Sequence, residues 1–468
     1  MSLSSSTYTL TRQIPRMKTY DLVVAGGGPA GSAAAISAAR LGAEVLLIES
    51  TGALGGMGSN ALVSYWYCLA NNVEAVAGGI VPELCEQLYQ RNYSDPSRGP
   101  EYWTKHKRGF GFQAEGLKLL LDEFCEGASV DVRFDSRVID VDVDESGTLI
   151  RGVILHNVEG YHYVPCHTLI DATGDAKVCD MAGAPSYRAG QDTEHIMPPT
   201  LCAAIVDIDY SRFDRELQQP LVDQAVREGF FSQPDRHVPG LFRNGEDSAI
   251  LNAGHLFDLD ALDSKSLSAG YAQGRKYAEE YIQFFRQYVP GCEQAKLVTT
   301  GTLMGIRESR RVQGEYSLKR EDFMSRRQFP DQFGIYCKQV DIHAYAATDE
   351  EYERVFRDFD HLAKPADGES YGLPYGMLVP KGWQNLWVAG RCASTDVFVN
   401  GAIRDQPACM MMGQAAGSAA VQRLQSGEAA CELNTETLVE SLRAQGAIVP
   451  QEELSREMTR EETALPVA

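Results

Sequence analysis

Near its N-terminus the chain reads YDLVVAGGGPAG and then, after an alanine-rich stretch, EVLLIE. Few segments restrict a fold as tightly. Residues 20–26 form a short apolar run suited to a buried parallel strand, and Gly26, Gly28 and Gly31 follow at the G-x-G-x-x-G spacing. Residues 30–41 read as a helix and 44–49 as a second strand ending in Glu49. Each part has a mechanical role. Gly26 permits a sharp turn, Gly28 lets a pyrophosphate approach the backbone, and Gly31 allows close helix–strand contact. Pro29 and Ala30 open the helix, whose free N–H groups and partial positive charge favour phosphate. Glu49, 23 residues after Gly26, is placed to accept hydrogen bonds from ribose hydroxyls and disfavours a 2′-phosphate. Strand, turn, helix, strand and terminal acid in register predict a Rossmann-like dinucleotide site. Farther along, the stretch 265–288 reads as an amphipathic helix.

The charge balance narrows the partners. With 43 Lys plus Arg against 64 Asp plus Glu, the 468-residue chain carries a formal charge of −21. Such an excess repels nucleic-acid backbones and anionic lipid, so neither is an expected partner. A hydrophobic share of 44% and a charged share of 23% exclude collagen-like, disordered and small disulfide-stapled classes. The 11 cysteines are odd in number and contain no CxxC pair, so no metal site, iron–sulfur cluster or thiol relay is expected. They fit buried thiols of a cytoplasmic protein. Three runs, 22–39, 50–73 and 406–422, carry no charge at all. Each is long enough to suggest a membrane span, yet their glycine turns would leave backbone groups unsatisfied in lipid. Enclosing an anionic cofactor is the better reason to withhold charge there. Residues 1–18 read as a polar tail without the apolar core of a secretory signal.

The sequence after Glu49 separates the dinucleotides. Ser50 leads into GALGGMGS, which places Gly55, Gly56 and Met57 in the loop after the second strand. An NAD dehydrogenase has no use for a second glycine pair there, whereas a flavin dinucleotide has a long pyrophosphate and ribityl chain to follow. Here the chain resembles the FAD-dependent oxidoreductases of the glutathione-reductase structural superfamily, within them the single-nucleotide, fumarate-reductase-like branch. The resemblance extends over nearly the whole chain. LIDATGDA (169–176), GTLMGIRESRRVQGEY (301–316), VDIHAY (340–345), LPYGMLVPKGWQNLWVAGRCAST (373–395) and RDQPACMMMGQAAGSAA (404–420) all follow the pattern of such a family.

The resemblance implies an α/β fold: a Rossmann-like FAD-binding domain with a parallel sheet and a β-meander over 130–170, plus an inserted α+β substrate domain. The FAD-binding domain would be discontinuous, 19–185 and 376–430, with 186–375 as the substrate or cap domain and 431–468 as a C-terminal helix and tail. Beyond the fingerprint residues, Val138, Ala172, Thr173, Gly174, Gly390, Arg391, Gln406 and Gly413 are implied in cofactor binding. NLWVAG (385–390) reads as a buried strand, and Pro407 as the start of a helix to about Gln425 whose N-terminus faces the flavin. Gly413, Ala415, Ala416 and Gly417 would let that helix lie close to the cofactor. A second GxGxxG unit is missing, so no stable NAD(P)H subsite is expected, and 50–73 holds no His for a covalent flavin link. FAD is expected to be non-covalent.

Several residues are candidates for the substrate side. GIRESRR sets Arg307, Arg310 and Arg311 around Glu308; arginine offers a planar fork to carboxylates. Arg307 would hold a carboxylate or orient a carbonyl, or else form an internal ion pair with Glu308 or Asp341. His343 is expected on a strand over VDIHAY with Asp341 on the same face, placed to move a proton. Tyr371 and Tyr375 are phenolic donors or pocket lining, and Asn400 and Arg404 precede the last helix, Arg404 balancing reduced-flavin charge or binding substrate. His195 and His255 are further candidates. The expected function is hydride transfer between a small polar metabolite and flavin N5, with oxygen or a separate electron acceptor closing the cycle. Flavin-dependent monooxygenation is an alternative, although GRCAST stands where those enzymes usually carry GD. A flavoprotein subunit of an electron-transfer or modification complex is another. Oligomeric state leaves no mark in the sequence.

Overall fold

In the computed structural model, which describes residues 8–360 and 364–449, the N-terminal apolar run becomes strand β1 (Tyr20–Ala25), buried at all but one position. Helix α1 (Pro29–Arg40) follows, with proline in its first turn, where the missing N–H costs nothing. Strand β2 (Val45–Ile48) is wholly buried. β1 and β2 pair in parallel, and continuous burial is what a strand covered on both faces requires. Helices α2 (Ile80–Gln90) and α3 (Ala114–Gly127) join α1 in one core through Leu84, Leu88, Leu117 and Leu121. Strand β3 (Asp131–Arg133) extends the parallel sheet beyond β2. The sequence pattern placed this segment in the meander; it belongs to the Rossmann-like sheet instead.

The meander itself is β4 (Arg137–Val143), β5 (Ile150–Asn157) and β6 (Gly160–Asp171). β6 serves two sheets in one pass. Its first half pairs antiparallel with β5, and its second half runs parallel to β1, delivering Asp171 beside Ala25. The polar N-terminal segment is more ordered than a tail: Met17 N–H donates to Tyr163 O at 2.9 Å and Tyr163 N–H to Pro15 O at 2.9 Å.

A second, four-stranded antiparallel sheet forms from β7 (Ala203–Val206), β8 (Gly240–Arg243), β9 (Ala249–Asn252) and β10 (Lys296–Thr300), in the order β8-β9-β7-β10. Helices α4 (Gln218–Arg227) and α5 (Ser264–Tyr288) share its core through Val222, Tyr281 and Phe285 against Ile205, Leu241 and Leu251. Asp263 caps α5 by accepting from Ser266 N–H at 2.6 Å. Beyond it, β11 (Gln332–Tyr336) pairs with β12 (Tyr371–Pro374), and Thr348 caps the short helix α6 (Asp349–Val355) between them. The strand expected at 340–345 does not form; those residues take no regular secondary structure.

The chain then returns to the first sheet. β13 (Leu386–Val388) pairs in parallel with β6, and α7 (Val397–Ile403), α8 (Gln406–Ser426) and α9 (Thr435–Ala444) follow. Every residue of α8 from Gln406 to Val421 is buried. Its glycines lie against α1: a Cβ at Gly413 would stand 1.9 Å from Ala30 O, and one at Gly417 2.4 Å from Ala34 O. Their missing side chains admit the neighbouring helix α1. Among the described residues no helix is long and apolar enough to cross a membrane. Ten cysteines are buried, Cys431 is exposed, and all are unpaired. The rest of the expected C-terminal tail, 450–468, lies outside the described residues, as do 1–7.

Candidate active site

The fingerprint glycines meet separate steric demands. Gly26 has φ +98°, and a Cβ there would lie 2.6 Å from Ala172 O. At Gly31 the Cβ would stand 1.7 Å from Gly26 O, so α1 starts in contact with the end of β1. Gly28 is the opposite case: nothing lies within 4 Å of where its Cβ would be, and no side chain caps the helix there. Open space over an uncapped helix N-terminus fits a pyrophosphate. The second glycine pair leans on the first, Gly55 N–H donating to Gly27 O at 2.8 Å and Gly56 approaching the Gly28 Cα. Glu49 is buried and braces this turn, accepting from Gly27 N–H at 2.6 Å and from the N–H and hydroxyl of Thr51 at 2.8 Å each. Ser50 lies beside it, its hydroxyl 3.3 Å from Glu49 Oε1.

Three further segments converge on this loop. Ala172 N–H donates to Ala25 O at 2.9 Å, and Thr173 is held by Asp171 through its N–H (3.0 Å) and hydroxyl (2.7 Å). Burial raises the Asp171 carboxyl above the usual range. Gly174, at φ +73°, faces the Arg391 guanidinium, which pairs with Asp175 and reaches towards Ile306 O (3.3 Å) and Met57 Sδ (3.9 Å). Gly390, at φ +101°, sits against Ala30. Gln406 begins α8 with its side chain tied to the 50–73 loop: it accepts from Trp66 Nε1 at 3.1 Å and donates to Val63 O at 2.6 Å. Val138 stands apart in β4, half-buried and paired with Leu155. Among the described residues Arg391 Nε and Asn400 Oδ1 are buried without a partner, donor and acceptor capacity that a bound FAD fits.

Next to Ile306 lies a dense polar cluster. Arg307 is buried, donating through Nη1 to Pro198 O (2.5 Å) and Thr200 Oγ1 (3.0 Å) and through Nε to His343 Nε2 (3.0 Å). Its guanidinium is pushed down to about 10 by burial, then by the like charge of Arg404. His343 Nδ1 lies 2.8 Å from His255 Nε2, whose own Nδ1 is 3.0 Å from Asp235 Oδ2. Asp235 also accepts from Tyr352 OH at 2.7 Å. On the other side, Asp341 Oδ1 is 3.2 Å from His343 Nε2, and Asp341 accepts from Arg404 Nη2 and Lys338 Nζ at 3.1 and 3.2 Å. Burial works against both carboxylates, but His255 holds Asp235, and Lys338 with His343 holds Asp341, well below the usual range. His343 itself is driven well below the usual imidazole range by burial and by Arg307.

Arg307, Arg404 and His343 therefore meet in one cluster. Tyr375 is elsewhere: its hydroxyl donates to Ala430 O at 2.8 Å and accepts from Trp387 Nε1 at 2.9 Å, inside the core under β13. With both hydrogen-bonding capacities filled by the core, it serves packing and not the substrate. Tyr371 is similarly occupied, donating to Lys338 O at 3.1 Å. Arg310 and Arg311 form internal ion pairs with Asp180 (2.7 Å) and Asp192 (2.5 Å), and His195 is an exposed ring beside Tyr345. Sequence reasoning missed Asp235, His237 and Lys338. His237, in the loop before β8, stacks on His255 with centroids 5.0 Å apart. The three imidazoles lie close enough to consider a shared ion. However, the His255–His343 separation of 2.8 Å is that of a hydrogen bond, shorter than the roughly 3.3 Å between two nitrogens on tetrahedral zinc, and a guanidinium touches His343.

The environment sets a pH signature. His237 is pushed down to about 4 by desolvation, then by His255. In the unfolded chain it titrates near ~6.5. Below that pH the unfolded state takes up a proton that the folded state refuses, so this stabilising contribution is present above pH ~6.5 and lost as pH falls toward 4. Buried Glu308 and Asp405, whose carboxyls are raised, act in the opposite direction. The histidine's share is isolated by comparing urea midpoints: between pH 7 and 5, the parent should lose more stability than His237→Gln. Parallel pH profiles would refute the assignment.

Comparison with known proteins agrees with this geometry. Residues 21–442 match the FAD dependent oxidoreductase family. The digeranylgeranylglycerophospholipid reductase of Methanosarcina acetivorans is 27% identical over 196 residues, 42% of this chain and 47% of that protein. The urocanate reductase of Eggerthella lenta is 29% identical over 138 residues, 25% of this chain and 23% of that one. The fumarate reductase (cytochrome) of Shewanella frigidimarina is 27% identical over 191 residues, 33% of each chain. The chain thus spans less than half the length of these curated relatives. Among solved structures, a geranylgeranyl bacteriochlorophyll reductase-like protein from Thermoplasma acidophilum aligns with 95% of this chain and 96% of its own, at 14% identity and a TM-score of 0.45. Fumarate and urocanate reductases among the relatives agree with the fumarate-reductase-like branch. With the family matched across nine-tenths of its length, this chain belongs to the FAD dependent oxidoreductases and is an enzyme of that class.

Proposed function

We propose that this enzyme is of the dehydrogenase or oxidase type and moves hydride between a small polar, hydroxyl- or carboxylate-bearing metabolite and non-covalently held FAD. One observation carries the reading: the Arg307–His343–Asp341–Arg404 cluster adjoins the cofactor loops through Ile306, whose carbonyl accepts from Arg391. When bound, FAD supplies two-electron chemistry by accepting or giving hydride. The chain supplies the rest. Arg307, fixed by three contacts, and Arg404, whose Nε is buried without a partner among the described residues, set positive charge beside the substrate oxygen atoms. The histidines behind them manage the proton. Oxygen or a separate carrier closes the cycle. A cytoplasmic location belongs to the same reading, since unpaired buried thiols suit a reducing compartment.

The test is anaerobic mixing of the oxidised holoenzyme with a panel of hydroxy acids, amino acids and polyols, and of the reduced holoenzyme with keto and enoic acids, following flavin absorbance. Bleaching or reoxidation by a metabolite is the expected result. Failure of the whole panel in both directions rejects the reading. Reduction only by a protein partner would favour a complex subunit, and metabolite turnover only with oxygen and an external reductant would favour monooxygenation. FAD should pass into the supernatant on acid precipitation; retention with the protein would show a covalent link.

A further inference from the structure

His343 is the imidazole that the sequence singles out, yet the protein engages both of its ring nitrogens. Nδ1 faces His255 at 2.8 Å and Nε2 accepts from Arg307 at 3.0 Å. His255 is buried, with Nε2 on His343 and Nδ1 beside Asp235. The third ring is different. His237 is exposed, and among the described residues its ring makes no hydrogen bond. It is nevertheless held: parallel to His255 within 14°, edge-on to His343 at 4.9 Å, and anchored by its backbone N–H, which donates to Asp235 Oδ1 at 3.0 Å. Two rings are buried and bonded to each other, and one is positioned but free.

We infer that His237 is the imidazole that touches the substrate, and that His255 and His343 are positioning residues forming a rigid frame behind it; this rests on the hydride-transfer reading above. For a hydroxyl-bearing substrate, the O–H proton passes to a free ring nitrogen of His237. The electron pair of that O–H bond becomes the second bond of the carbonyl. The C–H hydrogen leaves with its electron pair as hydride to the bound FAD, which is the oxidant. His343 cannot serve without breaking its bond from Arg307, whereas His237 has nothing to release. The crowding around His237 also keeps it neutral at pH 7, as a base must be.

The experiment uses the FAD-loaded enzyme and the metabolite that bleaches it in the panel. His237→Gln and His237→Ala should slow bleaching by about 100-fold or more, the usual contribution of a positioned acid–base group. Both variants should keep the flavin spectrum and melting temperature, because the ring makes no hydrogen bond to lose. Added imidazole should restore part of the rate to His237→Ala and none to His237→Gln. A readout independent of turnover is acylation by diethylpyrocarbonate, mapped by peptide mass: His237 should react, His255 and His343 should not, and the metabolite should protect. Bleaching of His237→Gln within about twofold of the parent overturns the assignment. So does acylation of His343 ahead of His237, or one equivalent of transition metal bound to the three rings. If no metabolite bleaches the parent, the hydride-transfer reading fails first and takes this inference with it. If the parent bleaches and His237→Gln does too, only the assignment of His237 fails.

Discussion

Asp235→Ala should destabilise the protein by about 3–5 kcal/mol, the range found when one partner of a buried ion pair is removed. Asp235 is fully buried and gathers three donors, Tyr352 OH at 2.7 Å, His237 N–H at 3.0 Å and His255 N–H at 3.1 Å, with the His255 ring Nδ1 3.0 Å away. Alanine would leave these groups facing a void. Each stranded donor costs on the order of 1–3 kcal/mol, partly recovered as neighbours relax. Asp235→Asn keeps one acceptor and the volume, so it should cost clearly less. Urea unfolding at pH 7 reads both. A loss under about 1 kcal/mol for alanine would mean the carboxylate is not the organising centre of the histidine cluster.

The second large effect is expected from Gly413→Ala, a change of one methyl group far along the chain from the fingerprint. The new Cβ would sit 1.9 Å from Ala30 O, a backbone atom that cannot swing aside. α8 and α1 must separate, and overpacking of this kind costs about 1–3 kcal/mol or more. Ala30 lies in the first turn of α1, whose N-terminus is the phosphate end of the cofactor site. FAD affinity should therefore fall by at least about tenfold, some 1.4 kcal/mol, measured by quenching of FAD fluorescence on titration. Gly127→Ala is the control, because nothing lies within 4 Å of its Cβ at the end of α3. It should be neutral or slightly stabilising. Equal FAD affinity in Gly413→Ala and the parent would show that the two helices are not rigidly coupled.

Much of the cofactor half was legible because its residues obey local rules. The strand expected at 20–26 is Tyr20–Ala25, the helix at 30–41 is Pro29–Arg40, and the amphipathic stretch 265–288 is Ser264–Tyr288. Turns that need glycine, and strands buried on both faces, leave patterns that one segment carries alone. The polar cluster does not. Asp235 and His237 lie in an irregular loop with no periodicity, and they meet His343 only because the second sheet brings the loop before β8 against the segment after β11. That proximity is a property of topology. The strand expected over VDIHAY failed for a related reason. Val340, Ile342 and Ala344 alternate and are buried, but His343 is buried as well, so the alternation did not mark a solvent face. Gly413 shows the limit of a motif of small residues, which announces close approach without naming every neighbour; here one of them is α1.

The contact between α1 and α8 also sets the order in which the enzyme can become competent during its synthesis. Ala30 and Gly413 are separated by 383 positions. At about 5–20 residues per second, the ribosome needs roughly 20–80 s to travel from one to the other. Throughout that interval the glycine fingerprint exists without the helix that covers it, and its alanine-rich face is open to chaperones or to the wrong partner. Arg391 and β13 arrive equally late. The glycine fingerprint is thus translated long before the helix that completes its packing.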